Sequence, residues 1–230
     1  MSEWPKIILF GDSITQYAFS DGGWGASLAN KLQRKCDVLN RGFSGYNTTW
    51  AKYLIPKIVP KTIILDVVLV TIFFGANDAV LTGQSQKHVP LNDYRQNTKE
   101  MVDYLTNIGI DKEKIVLISP PPLDDKAWGS GCVSSGSEVN RKNEVTGKYS
   151  EMCCSVAKQC EVDCIDLWSS MQQEKNWERF LIDGLHLSIE GSRFLEKNLS
   201  ALVLKKTSKL PVLFPDWKDI NPDHPEDSLF

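Results

Sequence analysis

Unbroken apolar runs that alternate with helix-length amphipathic stretches predict an α/β fold. The expected architecture is a three-layer α/β/α sandwich on a flavodoxin-like, doubly wound parallel sheet of about five strands. Three observations carry this expectation. Lys6 to Gly11 (KIILFG) and Asp66 to Gly75 (DVVLVTIFFG) show no polar alternation, as befits strands covered on both faces. Both end at a glycine followed by small polar residues, where a parallel sheet presents its carboxyl ends. Right-handed crossovers then leave only a few topologies. A chain of 230 residues suits one domain, 1–230, and is short for two.

The elements follow in order. Ile7 to Phe10 form the first strand, and Gly22-Gly23 a turn. Trp24, Leu28 and Leu32 recur every four residues on one face of a helix. Cys36 to Asn40 is the second strand, and Thr48 to Val59 a helix made irregular by Pro56. The third strand, rich in β-branched residues, runs into Gly75-Ala76-Asn77-Asp78. Leu91 to Asn107 is amphipathic, with Tyr94, Met101, Leu105 and Ile108 marking its apolar side. Ile115 to Ile118 is the fourth strand, stopped by Pro120-Pro121-Pro122. Leu123 to Ser137 lacks periodicity and reads as a long loop. A helix covers much of Glu138 to Gln159, Val162 to Leu167 is the fifth strand, Ser169 to Lys175 a short helix, and Ser188 to Lys206 the last long one. The proline-punctuated tail, 209–230, is not expected to be regular helix.

Composition narrows the function. Hydrophobic residues at 42% and charged residues at 24% are ordinary for a globular protein. A net charge of −3 with a pI near 5.7 argues against nucleic acid as partner. The longest apolar run, Val67 to Phe74, suits a strand and not a membrane span. The start MSEWPKII lacks the pattern of a secretory signal, which predicts a cytoplasmic protein. Reduced thiols are then expected for Cys36, Cys132, Cys153, Cys154, Cys160 and Cys164. Their spacing, with no histidine nearby, predicts no metal site.

Four segments end on one side of the expected sheet, and each has a bland reading beside a chemical one. Ser13, after the first strand, suits a helix N-cap or a nucleophile whose own N–H helps hold an oxyanion. Asp12 beside it reads better as a turn-former than as a catalyst. Gly45 is a turn glycine or an unobstructed N–H donor. Asn77 is a loop cap or a side-chain N–H₂ donor. His186 follows Asp183 by three residues, with Gly184 between them, so one loop can present an imidazole whose Nδ1 its own carboxylate orients. His88 and His224 lie in polar segments and read as solvated.

Taken together, GDS at Ser13, SGYN at Gly45, GAND at Asn77 and DGLH at Asp183 and His186 resemble the SGNH (GDSL-like) hydrolase family, all four blocks present in order. The longer strings GGWGASLA, KCDVLNRGFSGYNT, VTIFFGANDA and DGLHLS, with LPVLFPDWKD in the tail, are similar to its isoamyl acetate-hydrolysing esterase branch. The resemblance implies Ser13 as nucleophile, His186 as general base and then acid, and Asp183 as its orienting carboxylate. It further implies an oxyanion hole from the N–H groups of Ser13 and Gly45 with the Asn77 side chain, and no metal or organic cofactor.

The expected activity is hydrolysis of a small-molecule ester of short or medium acyl chain through an acyl-enzyme. A thioesterase, lysophospholipase or acyl transferase using the same residues is the alternative. Phe43, Tyr46, Phe74, Val80, Leu123, Trp128, Leu185 and Leu187 adjoin the four blocks and are candidates for an apolar substrate pocket, although each also suits the core. A nucleotide- or flavin-binding module would want a glycine-rich phosphate loop after the first strand, and GDSITQYAF has one glycine. Leu210, Val212, Leu213, Phe214 and Trp217 give the tail enough apolar surface to pack on its own body or in a homodimer.

Overall fold

In a computed structural model, which describes residues 4–229, the five expected strands assemble into one parallel sheet. Its strands are β1 (Lys6–Gly11), β2 (Asp37–Gly42), β3 (Val67–Phe73), β4 (Ile115–Ile118) and β5 (Asp163–Ile165). They stand in the order β2-β1-β3-β4-β5, every pair parallel, which is the flavodoxin-like doubly wound arrangement.

The strand sequences explain the layers. Side chains alternate between faces, so Ile8, Phe10, Val70, Ile72, Ile115 and Leu117 point one way while Ile7, Leu9, Leu69, Phe73, Val116 and Ile118 point the other. The first set is covered by α3 (Thr48–Ile58), α4 (Leu91–Ile108) and α6 (Asn143–Cys160), through Ile55, Met101, Leu105 and Val156. The second set is covered by α2 (Trp24–Lys31), α7 (Leu167–Gln172) and α8 (Ile189–Lys206), through Trp24, Leu28, Met171, Leu195 and Leu199. Two cores therefore flank one sheet, and the central strands β1, β3 and β4 are apolar along nearly their whole length because neither face meets water, whereas the edge strands β2 and β5 carry polar residues and stay partly exposed.

The direction of winding reverses between β1 and β3. At such a switch point the loops leaving two adjacent strands turn to opposite sides and open a crevice at the carboxyl ends. One loop carries Asp12 and Ser13, and the other carries Gly75 to Asp78.

The structure departs from the sequence expectations in several places. Leu123 to Ser137 is not a loop, because Asp125–Ser134 forms helix α5. Its cap is Asp124, whose Oδ1 accepts from the N–H groups of Lys126 and Ala127 at 3.0 and 3.1 Å. No apolar stripe announced it, since Cys132 is its one fully buried residue. Helix α6, Asn143–Cys160, covers much of Glu138 to Gln159 as expected, but β5 is confined to Asp163–Ile165 because Asp166 already caps α7 through the Ser169 N–H. Strand β2 extends to Gly42. The tail holds a 3-10 turn at Trp217–Asp219 and one helical turn at Glu226–Leu229, while Phe230 lies outside the described residues.

The tail packs on its own body, one of the two arrangements expected for it, with Leu210 against the core and a strap held by Arg34. Arg34 donates to the carbonyls of Leu213, Phe214 and Pro215, and its own carbonyl accepts from the Leu213 N–H at 2.6 Å. No helix among the described residues is long and apolar enough to cross a membrane. All six cysteines are unbridged, and the Sγ atoms of Cys154 and Cys164 lie 3.4 Å apart.

Candidate active site

Strand β1 ends at Gly11, where a Cβ would sit 2.6 Å from the Phe73 carbonyl oxygen, so the chain can pass this close to β3 only as glycine. Asp12 caps the single turn α1 (Ser13–Gln16), its Oδ1 accepting from the Ile14 N–H at 2.9 Å. That cap holds Ser13 as the first residue of the helical turn, only 7% exposed. Burial pushes the Asp12 carboxyl up to about 7, reinforced by nearby Asp78 and opposed by the Ile14 N–H, His186 and Arg141.

The loop after β2 is pinned to this turn, with the Phe43 N–H donating to the Gly11 carbonyl and the Ser44 N–H to Gln16 Oε1, both at 2.8 Å. Gly45 takes φ +83°, and its N–H finds no acceptor among the described residues. The loop after β3 turns at Gly75, φ +127°, where a Cβ would meet Pro120 at 3.0 Å. It places the Asn77 side chain with Nδ2 donating to the Tyr46 carbonyl at 2.9 Å. Asp78 joins this loop to α3, its Oδ1 accepting from the Thr48 N–H at 2.9 Å and the Thr48 hydroxyl at 2.5 Å. Burial raises Asp78 to about 6, and these bonds with Thr48 work against the rise.

The last segment is a short hairpin closed at its base by the Leu181–Leu187 bridge and by the Ile182 N–H donating to the His186 carbonyl at 2.8 Å. Inside it, Asp183 Oδ1 accepts from the N–H groups of Leu185 and His186 at 2.9 and 2.7 Å. Asp183 Oδ2 lies 2.7 Å from His186 Nδ1. Partial burial alone would raise the Asp183 carboxyl; the His186 ring and the two N–H donors overcome it and hold the group down at about 2. An ionised carboxylate only accepts, so Nδ1 carries a proton, and in the neutral ring Nε2 then presents its lone pair. That lone pair faces Ser13 Oγ at 3.0 Å. The arrangement can take a proton from the serine hydroxyl and return it.

Four elements distant in sequence thus meet at one sheet edge: Ser13, Asn77, and the Asp183–His186 pair, with Gly45 on the loop that Asn77 touches through Tyr46. The eight expected pocket residues do not stay together. Phe74, Val80, Leu123 and Leu185 are buried, with Phe74 edge-on to Phe10 at 4.9 Å, so they pack as core. Phe43, Tyr46, Trp128 and Leu187 keep accessible surface. A cavity of about 300 Å³ opens beside the pair and is lined by Ile14, Tyr17, Ile182 and Leu187 together with Asp183 and His186. Tyr17 and Ile182, both exposed, were not singled out from sequence.

Arg141 was missed altogether. It is 5% exposed, its Nη1 donates to the Ala76 carbonyl, and its Nη2 donates to Asn77 Oδ1 at 3.2 Å. Burial lowers it to about 10, with Asp12, Cys132, Asp78 and Asp183 pulling the other way, so it stays charged near neutrality. In sequence it lies in the polar stretch EVNRKNE and carries no signal of burial. Among the described residues no group of three or more His, Cys, Asp or Glu side chains is placed to hold a metal ion.

The model of the GDSL-like Lipase/Acylhydrolase family matches residues 9–194, and the chain belongs to that family. It is an enzyme of the esterase/acylhydrolase class. Among its relatives it is similar to the human isoamyl acetate-hydrolyzing esterase 1 homolog, 50% identical over 98% of this chain and 92% of that protein. A GDSL esterase/lipase of Arabidopsis thaliana is 41% identical over 96% of this chain and 95% of its own length. Of solved structures, a lipase/acylhydrolase from Enterococcus faecalis superposes with a TM-score of 0.68 at 27% identity, over 90% of this chain and 98% of that one. The acetyl xylan esterase AlAXEase shares the fold at a TM-score of 0.71 and 21% identity, over 86% and 99%.

Proposed function

We propose that the chain is a serine esterase working through an acyl-enzyme at Ser13. The observation that carries this reading is the chain of contacts from Asp183 Oδ2 to His186 Nδ1 at 2.7 Å and from His186 Nε2 to Ser13 Oγ at 3.0 Å. Ser13 Oγ attacks the ester carbonyl as His186 takes its proton, and the imidazolium that forms is stabilised by Asp183. Charge builds on the carbonyl oxygen, where the N–H groups of Ser13 and Gly45 and the Asn77 amide serve as donors. His186 returns the proton to the leaving alcohol, and water then attacks the acyl-enzyme by the reverse route.

Short-chain esters of small alcohols are the proposed substrates. Two things support them: the modest cavity beside His186, about 300 Å³ with largely apolar walls, and the likeness to relatives named for isoamyl acetate. Hydrolysis of p-nitrophenyl esters from acetate to palmitate, with Ser13→Ala alongside, tests the class and the chain length together. A Ser13-dependent rate peaking at acetate or butyrate is expected. A peak at palmitate would contradict the short-chain assignment, and Ser13-dependent turnover of thioesters alone would move the enzyme to the thioesterases.

A further inference from the structure

A side-chain amide has two orientations that exchange oxygen for nitrogen, and its partners choose between them. At Asn77 the partners are opposite in kind. The Tyr46 carbonyl, 2.9 Å from Nδ2, can only accept, whereas the Arg141 guanidinium, with Nη2 3.2 Å from Oδ1, can only donate. Turning the amide over would set donor against donor and acceptor against acceptor. The other arm of the same guanidinium rests on the Ala76 carbonyl, so the fork grips two consecutive residues of the loop after β3.

Burying this cation is costly, and the cost is not fully relieved. Arg141 is 5% exposed, and its Nε has no acceptor among the described residues. Its guanidinium carbon lies 5.3 Å from the centre of the Trp128 ring, which closes over it. A residue selected for stability alone would pack better as a neutral side chain. What the charge does accomplish is to hold the Ala76–Asn77 segment.

We propose that Arg141 is a positioning residue for the oxyanion hole. It fixes the Asn77 amide so that the Nδ2–H not taken by Tyr46 is turned to the developing oxyanion, and it polarises that amide by setting a positive charge against its oxygen. Arg141 itself touches no reacting atom. The inference rests on the serine-esterase reading above.

The test is the rate at which a fluorophosphonate labels Ser13, followed by intact mass. In that reaction Ser13 Oγ displaces fluoride and charge builds on the phosphonyl oxygen, with no choice of natural ester involved. Arg141→Met is expected to slow labelling by about 10- to 100-fold in the otherwise unaltered protein. In the Asn77→Ala background it is expected to slow labelling by no more than about twofold, because the group it acts through is gone. With p-nitrophenyl acetate the same loss should fall on kcat and leave KM within about twofold. Arg141→Lys keeps the charge but offers one point where two arms are needed, and should recover part of the rate. If circular dichroism shows Arg141→Met unfolded, Arg141→Lys in both backgrounds gives the same cycle. Equal slowing in both backgrounds, or none in either, would overturn the positioning role while leaving the esterase standing. Failure of the unaltered protein to label at all would remove the nucleophile and this proposal with it.

Discussion

Asp183 commits both carboxylate oxygens locally, Oδ1 to the N–H groups of Leu185 and His186 and Oδ2 to the imidazole. The loop and the histidine are thus held by one side chain, which is why a spacing of three residues was legible in the sequence as a unit. Ser13, Gly45 and Asn77 each follow a strand end and so have their place set by the sheet, but singly each also had a bland reading, and it was the four blocks taken together that made them candidates. Asn77→Ala, on the proposed mechanism, removes one oxyanion donor and should lower kcat by about 10²–10³ with little change in KM. Steady-state kinetics on p-nitrophenyl acetate would read this, and a change confined to KM would make Asn77 a substrate-binding residue instead. Arg141 was not legible, because its partners Ala76 and Asn77 lie 65 and 64 residues away and nothing local marks it as buried.

Among elements, the strands and the long helices were read correctly in kind because burial on two faces, or on one stripe, leaves a periodic trace. Helix α5 left none, being mostly exposed, and its start is marked by the Asp124 cap rather than by an apolar stripe. Yet α5 bears directly on the site. The Asp124 N–H donates to the Gly184 carbonyl at 2.9 Å, and a Cβ on Gly184 would lie 2.6 Å from the Trp128 nitrogen. Gly184 also has φ +89°, a conformation that favours glycine. Gly184→Ala should therefore destabilise the fold by about 1–3 kcal/mol. It should also lower activity by pushing the Asp183–His186 hairpin off the start of α5. Thermal unfolding and kinetics together would check this, and a variant that matched the parent in both would show that the contact does not position the hairpin.

For the molecule as a whole, the flavodoxin-like order was foreseeable from alternation and handedness, whereas the electrostatics at the switch point needed the folded structure. Asp12 and Asp78 are buried on adjacent loops and raised to about 7 and about 6. Both carboxyls bind protons more readily folded than unfolded, so between about pH 4 and pH 7 the native state holds more protons and stability declines as pH rises. Asp183, held down at about 2, acts in the opposite sense but only in acid, as its contribution fades below the ordinary aspartate range. The unfolding midpoint is therefore expected to fall between about pH 4 and about pH 7 and to level off above that. Asp12→Asn, which keeps an oxygen for the Ile14 N–H, should flatten that fall, and an unchanged slope would mean that Asp12 is ionised at neutrality in the native protein.

The central claim, that Ser13 is the nucleophile of an esterase, is tested most directly by p-nitrophenyl acetate turnover in the wild type and in Ser13→Ala, with circular dichroism confirming that both are folded. The account predicts loss of activity by a factor on the order of 10⁶ with the fold intact. Substantial residual turnover in folded Ser13→Ala would contradict it.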